Sequence, residues 1–137
     1  MKHAKLITFF FTLLFVASAC ATGSLKSDGK YDLEDQLEPV SEIIRYNLMG
    51  WEAVDNQSLI VQTAPSKNYL IVLRRPADNL LFSESISISN TGDMVKPGFD
   101  RVTVFSSPFS DNYVIDKIFK LENRDQVNAI RKQLTGK

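Results

Sequence analysis

A chain of 137 residues supports one domain, and 16 basic against 16 acidic residues leave it without the positive surplus on which nucleic-acid binding rests. Its one cysteine and one histidine, Cys20 and His3, both lie in the first twenty residues. The remainder has no thiol and no imidazole, which excludes from it Ser-His-Asp and Cys-His nucleophiles, His/Cys zinc sites and disulfides.

Met1 to Cys20 has the three parts of an export signal. Lys2 and Lys5 make a positive start, Leu6 to Val16 is apolar apart from Thr8 and Thr12, and Ala17-Ser18-Ala19 offers small residues to a peptidase. The apolar run is about eleven residues where a permanent span needs roughly twenty, so cleavage is expected rather than a retained helix. Ala17-Ser18-Ala19 fits an ordinary secretory cut. Val16-Ala17-Ser18-Ala19-Cys20 also resembles a bacterial lipobox, with Ala17 in place of the usual Leu. The only cysteine stands where a lipobox needs one, so residues 1–19 are read as a lipoprotein signal peptide and Cys20 as the lipidated new N-terminus. Two or three acyl chains, at ~0.8 kcal/mol per buried CH₂, would make that membrane anchor stable. In Gram-negative sorting an Asp after the lipidated cysteine retains the protein at the inner membrane. Ala21 stands there, and by resemblance to that rule the expected location is the outer membrane, facing the periplasm.

Cleavage removes Lys2 and Lys5 but no acid, leaving 14 basic and 16 acidic residues in the mature chain. Residues 20–40 read as a flexible acidic tether. Gly23, Ser24, Ser27, Asp28 and Gly29 precede Asp32, Glu34, Asp35 and Glu38, and burying the sparse Leu25, Leu33 and Leu37 would recover little ordering entropy. Leu33 and Leu37 are four apart, which also allows a short helical turn against the domain. As a flexible linker the segment would reach roughly 25 Å.

Residues 41–137 read as a single β-rich domain. Ile43 to Leu48 and Trp51 to Val54 flank Gly50 as two strands or one bent strand, before the polar turn Asp55-Asn56-Gln57. Ser58 to Thr63 alternates in polarity, and Tyr69 to Leu73 is apolar on both faces, as a central strand would be. After the break at Pro76-Ala77-Asp78-Asn79, Leu80-Leu81-Phe82 forms a short turn and Ser85 to Ser89 a strand. Asn90-Thr91-Gly92-Asp93 is a turn signal, and Arg101 to Phe105 and Tyr113 to Leu121 are strands separated by a loop, Ser106 to Asn112. A helix closes the chain. Asn123 caps it, Gln126 has capping-box spacing, and Val127, Ile130 and Leu134 form its apolar stripe. The expected fold is α+β: a small, mainly antiparallel sheet or barrel-like domain of about six strands with one C-terminal helix.

Candidate chemistry is sparse. No G-x-G occurs among the glycines, and Asp93 beside Gly92 lacks a calcium-loop context, so no metal, cofactor or catalytic residue is assigned. Carboxylates remain, of which Asp55 and Asp100 are the foremost, although Asp in turns commonly caps backbone. Trp51, Tyr69 and Phe99 could line an apolar or sugar-stacking surface, as could Phe82 and Phe119, although aromatics in strands are more often core. Arg74-Arg75, ending a strand, suits an anionic headgroup or a peptidoglycan carboxylate. The possible binding surface is therefore Trp51, Asp55, Tyr69, Arg74, Phe99 and Asp100.

Trp51-x-x-Val54-Asp55-Asn56, Leu59-Ile60-Val61 and Tyr69-Leu70-Ile71-Val72-Leu73-x-x-Pro76 continue into Leu80-x-Phe82, Ile86, Phe99-Asp100-x-Val102 and Ile115-x-x-Ile118. Over residues 43–122 this run resembles an uncharacterised domain-of-unknown-function family of short proteobacterial envelope proteins. The resemblance implies a compact exported domain and no activity. Family members often carry a cysteine after the motif proline and another before the Ile-x-x-Ile segment. Those positions are Ala77 and Asn112 or Tyr113 here, so non-covalent packing has to close that loop. The expected function is a membrane-anchored envelope lipoprotein, a non-enzymatic binding or structural module held through lipid on Cys20, with an envelope protein or glycan as partner and no nucleic acid. The alternative is a carboxylate-dependent enzyme or small-ligand-binding module using Asp100 and Asp55.

Overall fold

The computed structural model describes residues 29–136, so the signal peptide, the acylation of Cys20 and the first part of the tether lie outside the described residues. Nine strands and one helix follow in chain order: β1 (Glu38–Pro39), β2 (Ile43–Ile44), β3 (Gly50–Ala53), β4 (Ser58–Ala64), β5 (Lys67–Leu73), β6 (Ser85–Ile88), β7 (Met94–Val95), β8 (Arg101–Ser106), β9 (Phe109–Leu121) and α1 (Arg124–Thr135). Six form a curled antiparallel sheet in the order β3-β4-β5-β9-β8-β6, with β1 added to β9, while β2 and β7 pair apart from it. The α+β expectation of about six strands and one C-terminal helix holds.

The long strand β9 organises the sheet. Its first half, Phe109 to Val114, pairs with β8, and its second half, Ile115 to Leu121, pairs with β5. Between them the register shifts: Val72 faces Lys117 but Leu73 faces Ile115, so Asp116 is the extra residue of a bulge. The bulge resets which side chains point inward, and Ile115 and Ile118 both enter the same core.

Two cores result, one on each face. Leu59, Val61, Ile71, Leu73, Val102, Val104 and Ile115 fill the inside of the curl, where Ile43 and Val95 of the β2–β7 pair cover them. Ile60, Leu70, Val72, Phe119 and Leu121 point outward and are covered by Ile130 and Leu134 of α1. Period-2 alternation in β4 and β5 thus feeds two apolar layers, as the two-sided run Tyr69 to Leu73 requires.

Three segments differ from the sequence expectation. Tyr31, Leu33 and Leu37 of the supposed tether are buried in the outer core at 6%, 1% and 4% exposure, and Glu38–Pro39 pairs with Phe119 and Lys120. The α1 face leaves part of the outer layer open, and this segment supplies the rest. A correction follows: residues 29–40 are not a free tether. The expected strand Ile43 to Leu48 stops after Ile44, where Arg45 turns to φ 55. The expected loop Ser106 to Asn112 is instead a tight β8–β9 hairpin, with Ser106 opposite Phe109 and Thr103 opposite Asn112. Residues 107–112 are all exposed, so they carry no apolar alternation to betray a strand.

Helix α1 is capped as its sequence proposes. Asn123 accepts from the Gln126 N–H at 2.8 Å, and Gln126 in return accepts from the Glu122 N–H at 2.7 Å, one residue earlier than a capping box would place it. Gly136, at φ 68, ends the helix and donates to the Lys132 carbonyl at 3.0 Å.

Candidate functional site

Asp100 sits at the entry to β8, 5% exposed. Its carboxylate accepts from the Ser89 hydroxyl and the Lys96 N–H, each at 2.7 Å, and Ser89 accepts in turn from the Arg101 N–H at 2.9 Å. The turn it closes contains Gly98 at φ +83, a left-handed conformation that leaves the Gly98 N–H donating to the Ile115 carbonyl at 2.6 Å. Asp100 therefore fixes the Lys96 to Asp100 turn against β9. Asp100→Ala leaves the half-buried Lys96 N–H without its acceptor and should cost about 1–3 kcal/mol of stability in a urea titration.

Asp55 occupies the β3–β4 turn and is held just as locally. Lys30 Nζ lies 2.9 Å from it, and Tyr31, Ser58 and the Gln57 N–H donate to it at 2.8 Å each. Burial pushes its pKa up, but hydrogen bonds from Lys30, Gln57, Ser58 and Tyr31 outweigh burial and hold it below the usual carboxylate value. A depressed folded value means that this stabilisation is present at neutral pH and is lost as pH falls below the unfolded Asp value, about 3.9. Stability should accordingly decline on that acid limb, and Asp55→Asn should flatten the decline; an unaltered pH profile would contradict the assignment. Asp55 and Asp100 share no partner, and each serves its own turn.

Trp51 and Tyr69 do come together. Both lie opposite Val61, one on each side, half-buried against the inner core. Arg74 is exposed, with Nε 3.8 Å from Asp116, and Phe99 is 82% exposed on the Asp100 turn. The six predicted residues thus divide among three places: an inner-core edge, the β3–β4 turn, and the Arg74–Phe99–Asp100 neighbourhood where β5 ends and β8 begins.

Beside that last group is an open cleft of about 360 Å³ between the segment after β5 and the β8–β9 hairpin. Arg75, Asp78, Asn79, Ser106, Phe109, Asp111 and Tyr113 line it. The Arg75 guanidinium stacks 4.4 Å over the Tyr113 ring and donates to the Asn112 carbonyl at 3.3 Å. With the Arg74 N–H donating to the Val114 carbonyl at 2.9 Å, this stack ties the segment after β5 non-covalently to β9. Burial raises the Tyr113 pKa, with Asp111 adding and Arg75 opposing, so its hydroxyl is a neutral hydrogen-bonding group. Among the described residues no carboxylate lies within ion-pair distance of Arg75. Its remaining N–H groups can donate to a planar anionic group, with Phe109 offering an apolar face at the rim.

A larger groove, about 490 Å³, lies between the α1 N-terminus and the β4–β5 turn. Of the two arginines that line it, Arg131 is already engaged, binding Glu52 at 2.7 Å and Asn128 at 2.9 Å and so tying α1 to β3. Among the described residues no group of three His, Cys, Asp or Glu is placed to hold a metal, and no helix is long and apolar enough to cross a membrane.

Sequence reasoning reached Arg74-Arg75 but not Phe109, Asn79 or Tyr113 as their companions. The signal was the polar run Ser106 to Asn112, which reads as a loop until its pairing with β8 is known. A family model described as "Family of unknown function (DUF6491)" matches residues 2–137. No curated protein and no solved structure matches the chain.

Proposed function

Because the chain belongs to that family of unknown function, we propose its role from its own chemistry: a lipid-anchored envelope protein whose domain binds an anion-bearing envelope component without transforming it. The observation that carries the binding reading is the Arg75–Tyr113 stack facing an open cleft with Phe109 at its rim. The stack preorganises a guanidinium that has no described carboxylate within ion-pair distance, although Asp78 and Asp111 share its cleft, and preorganised arginine on an aromatic face suits phosphate or carboxylate recognition. The anchoring reading is supported by Val16 to Cys20, a lipobox-like sequence after an apolar stretch too short to span a bilayer. Cys20 acylation would keep the domain at the envelope surface, the outer membrane facing the periplasm by the Ala21 sorting rule.

Crosslinking in intact cells, followed by capture of the tagged full-length protein, tests the binding reading. A protein, glycan or phospholipid should be enriched reproducibly by the wild type, and enrichment should fall at least several-fold for Arg75→Ala. Equal recovery by both, or no enriched component, contradicts it.

A further inference from the structure

We infer that the hairpin end of the domain rests on the lipid bilayer itself, with Phe82 and Phe109 entering the interface and Arg75 set back at headgroup level. This rests on the proposed anchor and names the anion-bearing component as phospholipid. Two observations converge on that end of the molecule.

The first is where exposed aromatic surface lies. Of the four exposed phenylalanines among the described residues, Phe99 lies on the Asp100 turn, whereas Phe82 and Phe109, 83% and 74% exposed, and Phe105, 40% exposed, lie toward the hairpin. Register puts them together: Phe105 faces Ser85 on β6 and Ser110 on β9, Phe109 begins β9 at the hairpin turn, and Phe82 is three residues before Ser85. The hairpin overhangs the end of β5 from Val114 to Phe109, about 17 Å at strand rise. At the opposite end, the groove beside the β4–β5 turn is lined mainly by polar residues, among them Ser66, Asn68, Glu122 and Asn123, and the exposed apolar residues nearby, Ile44 and Met49, are aliphatic rather than aromatic. Exposed phenylalanines projecting from a loop end, with a guanidinium behind them, suit the boundary between acyl chains and headgroups.

The second is where the chain enters. Lys30 and Tyr31 both reach Asp55, and the neighbouring Asn56 and Gln57 carbonyls accept from Ala77 and Leu73. The described chain therefore begins beside the segment that carries Arg74 and Arg75, at the end from which the hairpin projects. Eight residues lie between Cys20 and Gly29, nine steps that span at most about 30 Å. An anchor at Cys20 keeps Gly29, and with it this end of the domain, within that distance of the lipid. The charges there are mixed, since Asp78 and Asp111 accompany Arg75, so apolar insertion rather than net attraction carries the contact.

The test uses the full-length acylated protein in phosphatidylethanolamine–phosphatidylglycerol vesicles. A lipidated Cys20 has no free thiol, so an introduced cysteine is the only site for an environment-sensitive fluorophore. Phe82→Cys and Phe109→Cys are compared with Ser66→Cys on the β4–β5 turn. The two hairpin-end labels should be roughly two- to threefold brighter on vesicles and be quenched by nitroxide-bearing lipid, while the Ser66 label stays solvent-like. Equal, solvent-like signals from all three labels overturn the inference, as would lipid contact at Ser66 alone. Protein with no introduced cysteine separates the two failures: label taken up by Cys20 itself refutes the anchor, whereas a blocked Cys20 with dark hairpin labels refutes only the docking.

Discussion

Leu33→Ala is expected to lower the unfolding free energy by about 2–5 kcal/mol, an effect proper to a core leucine and out of proportion for a linker. Leu33 is 1% exposed in the outer core, beside Leu37 and Tyr31 and against the sheet face that α1 also covers. Truncation removes its transfer free energy and leaves a cavity between sheet and segment. Lys117 pins the same stretch from β9, reaching Glu34 at 2.8 Å and Asp32 at 3.1 Å. Hydrogen bonding to Lys117 lowers the Glu34 pKa, though both partners are well exposed and the pair adds little beside Leu33. The measurement is a urea titration: a midpoint shift with unchanged slope means lost packing. A variant indistinguishable from wild type would mean that residues 29–40 do not belong to the folded unit.

Phe119→Ala should cost still more, about 3–5 kcal/mol. Phe119 is wholly buried and sits where the outer layer is assembled, paired with Leu70 of β5 on one side and Pro39 of β1 on the other. Its ring shares the outer core with Ile130 and Leu134 of α1 and with Leu33. One truncation therefore loosens the helix, the entering segment and the sheet at once. The double variant Leu33→Ala/Phe119→Ala should depart from the sum of the single losses, since the two residues belong to one contiguous core. Equilibrium unfolding of both single variants and the double variant checks this, and a Phe119→Ala loss below about 1 kcal/mol would contradict the packing described.

The sheet's central strands were legible because their residues obey one rule from end to end. Tyr69 to Leu73 is apolar on both faces because each face has its own core, and Ser58 to Ala64 feeds the same two layers. The helix was legible from its cap and stripe, with Ile130 and Leu134 buried as spaced. Elements of two residues were not. β1, β2 and β7 are defined by partners distant in sequence, and Glu38–Pro39 acquires strand character only because Phe119 and Lys120 lie beside it. The entering segment was hidden by its acidic composition, which says nothing about three apolar side chains that a half-covered sheet face can bury. The bulge at Asp116 was not legible, because it breaks the alternation from which a strand is read.

The site was legible in one part only. Arg74-Arg75 stood out as a cationic pair, but its meaning depends on Tyr113, which the register of β9 brings beneath Arg75. Asp55 and Asp100 stood out as carboxylates, and their bonds show two turns being held rather than one cleft being furnished. Phe109 and Phe82 carry no motif. Their relation to each other, and to the point where the chain enters, exists only once the hairpin is folded.

The claim on which the rest depends is the anchor, and mass spectrometry of the mature protein from isolated membranes tests it most directly. An N-terminal peptide that begins at Cys20 and carries the added mass of two or three acyl chains is expected, with Cys20→Ser unacylated and released to the soluble fraction. A retained Met1, a mature terminus at any other residue, or an unmodified Cys20 would contradict it.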